Sequence, residues 1–174
     1  MLFPCLVVVG IFSMYLSVGL AGGILVSWDN SLASFTVLDS SPQFVIGELD
    51  VLKKGRWRIA IIYGSKDVYV RRLLWEKLET FSGTDLPMVI GGDFNCLLTK
   101  EDKRGGRRFS FSIGPREMKS FLTSNDLHEV GYVGPKYTWS NNKLGADRIL
   151  ERLDRCFLNS SAISLGHRMV VRHP

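Results

Sequence analysis

Short apolar runs rich in β-branched residues recur through residues 22–63, and polar or turn-forming residues separate them. Such runs predict strands, and short turns between them favour antiparallel neighbours. Turn-forming residues such as Asp29-Asn30 and Lys53-Lys54-Gly55 mark the boundaries. The four predicted strands cover residues 24–28, 34–38, 44–51 and 56–63.

Residues 65–81 have the apolar spacing of a helix. Ser65 or Asp67 is suited to cap its N-terminus, and Gly83 lies just past its end. The apolar stripe that we predict to face the core contains Val70, Leu73, Leu74, Leu78 and Phe81. The charged residues that we predict on the solvated side are Arg71, Arg72, Glu76, Lys77 and Glu79.

The second half of the chain predicts shorter elements. A helix is expected at residues 115–122, where Pro115 suits the first turn and Met118, Phe121 and Leu122 face inward. A strand is expected within residues 127–132, and residues 160–165 form a short helix at best. The remaining predictions are a hairpin of residues 136–140 with 149–158, and a strand beginning at residues 169–172.

Residues 1–28 contain no charged residue. Residues 2–26 are long enough to span a bilayer, but no Lys or Arg precedes them as in a signal peptide, and Pro4 and several glycines interrupt the run. The alternatives are a membrane or secretory segment, one or two buried strands, or an N-terminus that is not native to the fold. We expect a nuclear or cytoplasmic location rather than a membrane.

The run Met88-Val89-Ile90 predicts a buried strand, and Gly91-Gly92, Asp93 and Asn95 follow it. Polar side chains at the end of such a strand stand at the rim of a sheet, where many active sites lie. On an extended segment Asp93 and Asn95 point to the same face. Their carboxylate and amide suit a metal ion and a phosphate oxygen. The alternative is an ordinary Asp/Asn turn.

Composition narrows these possibilities only a little. The 174 residues are 45% hydrophobic and 22% charged, which suits one globular domain, and the net charge of +5 is compatible with a nucleic-acid partner. Three cysteines without CxxC spacing favour free buried thiols in a reducing compartment. Residues 100–108 carry five cations and two glycines, and they form either a phosphate-contacting segment or a solvated loop.

Several separated stretches, in their order and spacing, resemble the endonuclease/exonuclease/phosphatase superfamily. More narrowly, they resemble the apurinic-type endonuclease domain of plant non-LTR (LINE-type) retrotransposons, from about Val18 to Pro174. The stretches are Ile62-Tyr63-Gly64, Gly91-Gly92-Asp93-Phe94-Asn95, Lys103-Arg104-Gly105-Gly106-Arg107, Gly134-Pro135-Lys136-Tyr137-Thr138-Trp139-Ser140 and Glu151-Arg152-Leu153-Asp154-Arg155.

The resemblance implies an incomplete α/β fold of four layers, an α/β/β/α sandwich of the DNase I-like type, in residues 19–174, with residues 1–18 as a separate apolar segment. It implies Mg²⁺-dependent hydrolysis of DNA phosphodiesters. Asp93 would orient or activate the attacking water or assist the leaving group, and Asn95 would hold a phosphate oxygen. Tyr63 would contact the same phosphate, and Asp154 would orient a catalytic His.

By the same resemblance, Asp93 and Asn95 form an incomplete Mg²⁺ site, and DNA is the partner, with no stable protein partner implied. The hairpin would lie against DNA through Thr138, Trp139 and Asn141. The basic residues that would line the groove are Lys103, Arg104, Arg107 and Arg108.

The chain departs from the family in two places. No acidic residue precedes Asp29, so the family's upstream metal-binding Glu has no counterpart. The family's Ser-Asp-His triplet would fall beyond Pro174, so His173 is not assigned as the general base, and His128 and His167 match no motif. We therefore expect weak or absent Mg²⁺ binding and little activity. The alternatives are a phosphodiesterase completed by other groups or a partner chain, and a non-catalytic nucleic-acid-binding module.

Overall fold

A computed structural model of the chain describes residues 12–19, 22–166 and 170–173, with side chains from residue 24 onward. Residues 1–11, with Cys5 among them, lie outside these ranges, as do His167 and the predicted strand start at Met169. The described chain contains three helices, which are α1 (Val68–Ser82), α2 (Ile113–Ser124) and α3 (Ser160–Ser164).

The strands of the described chain fall into one large sheet and three small ones. The small sheets contain β1 (Phe12–Gly19) with β2 (Gly22–Asp29), β7 (Lys103–Arg104) with β10 (Trp139–Ser140) and β11 (Leu150–Glu151), and β9 (Tyr132–Val133) with β13 (Val171–Arg172). The large sheet contains β3 (Ala33–Ser41), β4 (Phe44–Val51), β5 (Gly55–Tyr63), β6 (Met88–Asp93), β8 (Leu127–Glu129) and β12 (Asp154–Asn159).

The large sheet has the strand order β3-β4-β5-β6-β12-β8. Only β5 and β6 are parallel within it, and α1 makes the crossover between them. The predicted strands from residue 24 to residue 63 are confirmed, as is the buried strand at Met88. Because β6 pairs with β5 on one side and β12 on the other, it is an interior strand.

An aromatic cluster joins the helices to the large sheet. Trp75 of α1 stacks on Phe121 of α2 at 5.1 Å between ring centroids and on Phe94 at 6.2 Å, and Phe94 meets Phe157 edge-on at 5.3 Å. All four rings are buried. Phe94 lies between Asp93 and Asn95, so the core fixes the end of β6 directly.

The predicted inward stripe of α1 is wrong in part. Leu74 and Leu78 are buried as predicted, but Val70 is 46% exposed and Leu73 is 56% exposed. The buried stripe runs instead through Arg71, Leu74, Trp75 and Leu78, the i, i+3, i+4, i+7 spacing of one helix face. The indole of Trp75 buries more apolar surface than Val70 or Leu73 could, so this face packs inward and takes Arg71 with it.

Strands form in two regions, residues 12–29 and residues 103–104, for which the sequence left more than one structure open. Residues 12–19 and 22–29 pair as the β1–β2 hairpin, in agreement with the strand part of the buried-strand alternative, although Leu25 is 59% exposed; the hairpin contacts β3 and β5. No helix among the described residues is long and apolar enough to cross a membrane. Lys103 and Arg104 form β7 against β11 rather than a loop. The domain boundary expected after residue 18 falls inside β1 and stays a prediction.

A buried network of two acids and two arginines joins the basic segment to β12. Asp102 is 2% exposed, and its carboxylate lies 2.5 Å from Arg155 Nη2 and 3.0 Å from Arg152 Nε. Both arginines also reach Glu129 of β8. Asp102 Oδ2, the oxygen that faces Arg155, also accepts the backbone N–H groups of Leu98 and Thr99. Burial opposes ionisation of Asp102, but the Arg155 charge and these hydrogen bonds outweigh it and hold its pKa below the usual value.

We expect Asp102→Ala to lower the free energy of unfolding by about 3 kcal/mol, because it leaves buried Arg155 with Glu129 as its acidic partner and orphans two backbone N–H groups. Asp85→Ala is the control, since Asp85 is exposed, and its expected effect is below about 0.5 kcal/mol. Urea denaturation measures both. Equal effects in the two variants would contradict this role for the network.

Candidate functional site

Three side chains predicted to act together lie in one row across the large sheet. Tyr63 ends β5, Asp93 ends β6, and Asp154 begins β12, and Asp93 is in register with both of the others. Residues opposite each other on neighbouring strands direct their side chains to the same face. The structure therefore brings Tyr63, Asp93 and Asp154 together, although they come from three separate stretches of the chain.

The environment of Asp93 disfavours the charged form of its carboxyl. Burial, and to a smaller extent the neighbouring Asp154 carboxylate, raise its pKa from 3.8 to about 6. The N–H of Asn95 and the positive charges of Lys66 and Arg71 oppose this shift without cancelling it. Asp93 thus changes its charge close to neutral pH, as many groups that transfer protons in enzymes do.

Asn95 reaches Asp93 by a route that the sequence did not predict. Its backbone is not extended but left-handed, with φ of 45°. This turn folds the side chain back, so that Nδ2 donates to Gly64 O at 2.8 Å and to Asp93 Oδ2 at 3.3 Å. The Asn95 backbone N–H donates to Asp93 Oδ1 at 2.8 Å. The two side chains are adjacent as predicted, but the shared face of a strand is not the reason.

Backbone contacts hold the strand ends close together. Gly64 N donates to Asp93 O at 2.7 Å, and Phe94 N donates to Leu153 O at 3.0 Å. Gly92 has φ of 137°, and a Cβ there would lie 2.1 Å from Ile62 O. Only glycine fits at that position. The glycine before Asp93 therefore allows β5 and β6 to approach at the point where the site begins.

Thr138 and Asn141, predicted to lie against DNA, make contacts inside the fold. Thr138 Oγ1 accepts the backbone N–H groups of Leu153 and Asp154, each at 3.1 Å. The Asn141 side chain donates to Asp147 O and accepts from Lys143 N and Ile149 N, which orders the turn of the hairpin. Both residues thus position the hairpin and Asp154. Their contact with DNA stays a prediction.

A cleft of about 700 Å³ opens beside Asn95. Trp139, which is 40% exposed, forms part of its wall. Three of the predicted DNA-contacting basic residues, Lys103, Arg107 and Arg108, also line the cleft. Residues that were not predicted complete the lining, among them Lys66, Arg71, Cys96, Phe109, Gly114, Glu151 and Leu153. The cleft combines cationic side chains with flat apolar surfaces, the combination that nucleic-acid strands bind.

The four predicted basic residues are not equivalent. Lys103 forms an ion pair with Glu151, and both side chains are largely buried. Arg104, Arg107 and Arg108 are exposed, and none forms an ion pair with another residue of the described chain. Arg104 does not line the cleft, whereas Arg107 and Arg108 do. The charge of Lys103 is therefore already balanced, and Arg107 and Arg108 are better placed to meet an anion in the cleft.

Arg71, Lys66 and Asp102 were not among the predicted functional residues. Arg71 was placed on the solvated side of α1, although its spacing with Leu74, Trp75 and Leu78 was a signal of the buried side. The described histidines lie elsewhere: His128 contacts Asp126 and Ser160, and His173 stacks on Tyr132. Cys96 and Cys156 are free thiols, as predicted, and burial raises the pKa of both.

The oxygen atoms around Asp93 suit a hard divalent cation. Burial disfavours the charged form of Asp93, and a cation would stabilise that form. Asp93, Asp154 and the Asn95 amide oxygen are ligand types that Mg²⁺ accepts. Within the described ranges, no group of three or more His, Cys, Asp or Glu side chains is arranged to hold a metal ion.

The fold is similar to that of two solved structures with other sequences. The endonuclease domain of TRAS1, a telomere-specific non-LTR retrotransposon, matches with a TM-score of 0.66 and 10% identity over 88% of this chain and 68% of that domain. ANGEL2, a 2′,3′-cyclic phosphatase, matches with a TM-score of 0.51 and 13% identity over 87% of this chain and 62% of that chain. No protein-family model and no curated protein matches the sequence. These similarities confirm the predicted fold class, and the chain has a DNase I-like α/β fold.

Proposed function

We propose that this chain carries a phosphodiester-hydrolysing site of the endonuclease type, which acts on DNA and is built on Asp93. The observation that supports it most is the row of Tyr63, Asp93 and Asp154 next to a cationic cleft. The DNase I-like fold, shared with an endonuclease domain, adds to that support.

Each residue of the row has a role in this proposal. The desolvated Asp93 carboxylate orients a water and takes its proton as the water oxygen bonds to phosphorus. The P–O bond to the leaving oxygen breaks, and that oxygen takes a proton from solvent. The Asn95 amide exchanges its longer contact, to Asp93 Oδ2, for a phosphate oxygen. The Tyr63 phenol donates to the same phosphate, and Asp154 completes the acidic pair beside it.

Asp93, Asp154 and Asn95 would hold Mg²⁺ in this proposal. Bound there, Mg²⁺ would supply positive charge that neutralises the phosphate in the transition state. The motif resemblance covers only part of the family's residue set, so we expect the 174-residue chain to bind Mg²⁺ weakly and to cleave DNA slowly. Asp93 also has to release its proton before it binds a cation, which weakens binding further below about pH 6.

A second candidate function is DNA binding without cleavage. Arg107, Arg108 and Trp139 favour it, because exposed arginines and an aromatic ring in one cleft bind strands whether or not cleavage follows.

We expect the purified chain at high concentration with Mn²⁺ or Mg²⁺ to nick supercoiled plasmid slowly, and Asp93→Asn to reduce the rate about 10²-fold or more. Asp85→Asn, which removes an exposed carboxylate, should keep the wild-type rate. Equal nicking by Asp93→Asn and wild type would refute the role of Asp93. No nicking by a wild-type chain that still binds DNA would favour the second candidate.

Asp93 should also make folding depend on pH. Its folded pKa of about 6 lies above the unfolded value of 3.8, so the folded state holds more protons between these values. Ionisation of Asp93 therefore costs stability as pH rises through this window, by at most about 3 kcal/mol. Asp93→Asn should remove the cost and be more stable than wild type at pH 7, by an amount that shrinks toward pH 4. Denaturation from pH 4 to 8 tests this, and a variant that is less stable at pH 7 would contradict it.

DNA binding should depend on the free arginines more than on the paired lysine. We expect the double variant Arg107→Ala/Arg108→Ala to weaken binding and to reduce the slope of log affinity against log salt by about 0.9 per lost phosphate contact. Lys103→Ala should have a smaller effect, because Glu151 already balances its charge. The matched control is Lys53→Ala/Lys54→Ala, in the remote β4–β5 turn. Fluorescence anisotropy measures all four proteins, and equal losses in the control would contradict a localised binding surface.

A further inference from the structure

Arg71 is a buried cation without an acidic partner in the described chain. It is 4% exposed and forms no salt bridge there. Its Nη1 donates to the backbone carbonyls of Ser65 at 2.5 Å and Lys66 at 3.4 Å, and its Nε has no hydrogen-bond partner. A buried charge is costly unless it is paired and its donors are satisfied. Arg71 contrasts with Arg155, which is equally buried but has two acidic partners.

The surroundings leave Arg71 open to the cleft. Its side chain lines that cleft together with Lys66, Asn95 and Gly114. A Cβ at Gly114 would lie 2.9 Å from Arg71 Nη2, so any larger residue there would force the guanidinium to shift. Because Gly114 has no side chain, the Arg71 guanidinium can occupy its position in the wall of the cleft.

The cleft has an excess of positive charge, which favours the binding of an anion. Lys66, Arg71, Arg107 and Arg108 contribute four positive charges, while the acidic residue that lines the cleft, Glu151, is paired with Lys103. A planar guanidinium with unused donors matches the oxygen atoms of a phosphate group well. A phosphate would supply the counter-charge that no salt bridge of the described chain gives Arg71, and a further acceptor besides the carbonyls of Ser65 and Lys66.

We propose that Arg71 and Lys66 form an anion site in the cleft, beside the Asp93 row, that binds a phosphate group. The ligand is either free phosphate or a phosphodiester of a nucleic-acid strand, since both present the same oxygen atoms. The site requires no bond cleavage, so it stands or falls separately from the proposed hydrolysis.

The test compares the wild-type chain with Arg71→Met and with the matched control Arg72→Met. Arg72 is the next residue on α1, but it lies outside the cleft and is paired with Glu117. Binding of inorganic phosphate is followed by ³¹P NMR, and binding of a short labelled DNA strand by fluorescence anisotropy. We expect Arg71→Met to lose about tenfold to hundredfold in affinity, as for a charge-assisted hydrogen bond, and Arg72→Met to lose little.

The two ligands separate the two sources of phosphate. If the site serves a strand, Arg71→Met weakens the strand and lowers its salt slope by about 0.7, the value for one contact to a single strand. If it serves free phosphate, only the inorganic phosphate titration changes. Unchanged binding of both ligands by a folded Arg71→Met, or equal losses in Arg72→Met, would overturn the proposal.

A second variant covers the case in which Arg71→Met does not fold. Gly114→Ala keeps every charge and adds a methyl group 2.9 Å from the present position of Arg71 Nη2, and alanine favours the helix more than glycine does. We expect it to fold at least as stably as the wild type and to bind phosphate several-fold more weakly. Wild-type affinity in Gly114→Ala with Arg71→Met unfolded would overturn the proposal as well.

Discussion

The buried pairing of Asp102 with Arg155 is the interaction on which the geometry of the site depends. Arg155 follows Asp154 directly in β12, and Asp102 ends the turn before β7. Through one carboxylate the segment from Leu98 to Asp102 is attached to the strand that carries Asp154. Arg152 strengthens the attachment, because its side chain bonds the Asp102 carboxylate and its backbone N–H bonds the Asp102 carbonyl. This network therefore fixes the position of the cleft wall relative to Asp154 and the rest of the row.

Ion pairing also explains why the cationic side chains near Asp93 do not form a salt bridge with its carboxyl. The arginines nearest Asp102 and Glu129 are committed to those acids. Lys103 is committed to Glu151. The cleft cations that remain without an ion pair among the described residues are Lys66, Arg71, Arg107 and Arg108. Asp93 consequently keeps its raised pKa, and the cleft keeps a surplus of positive charge.

Local sequence patterns predicted the strands, but they did not predict which distant side chains form ion pairs. The run from Met88 to Ile90 predicted an interior strand because its apolar residues and glycines are local signals. The same local signals singled out Asp93 and Asn95 as a candidate site, but they did not predict the left-handed turn at Asn95. The partners of Lys103 and Asp102 lie 48 and 50 residues further along the chain, and no local pattern encodes such pairings. The predicted inward face of α1 was partly wrong because it included Val70 and Leu73 and left out Trp75, which has the larger apolar surface.

The row of Tyr63, Asp93 and Asp154 has a consequence for how the chain folds. The three residues belong to strands that are distant in sequence, and β6 has to settle between β5 and β12 before they meet. Contacts between distant segments form slowly, because each closes a long loop of chain. The row consequently exists only once the whole centre of the sheet has assembled. A partly folded chain would present the positive charges of the basic segment to solvent before Tyr63, Asp93 and Asp154 had come together.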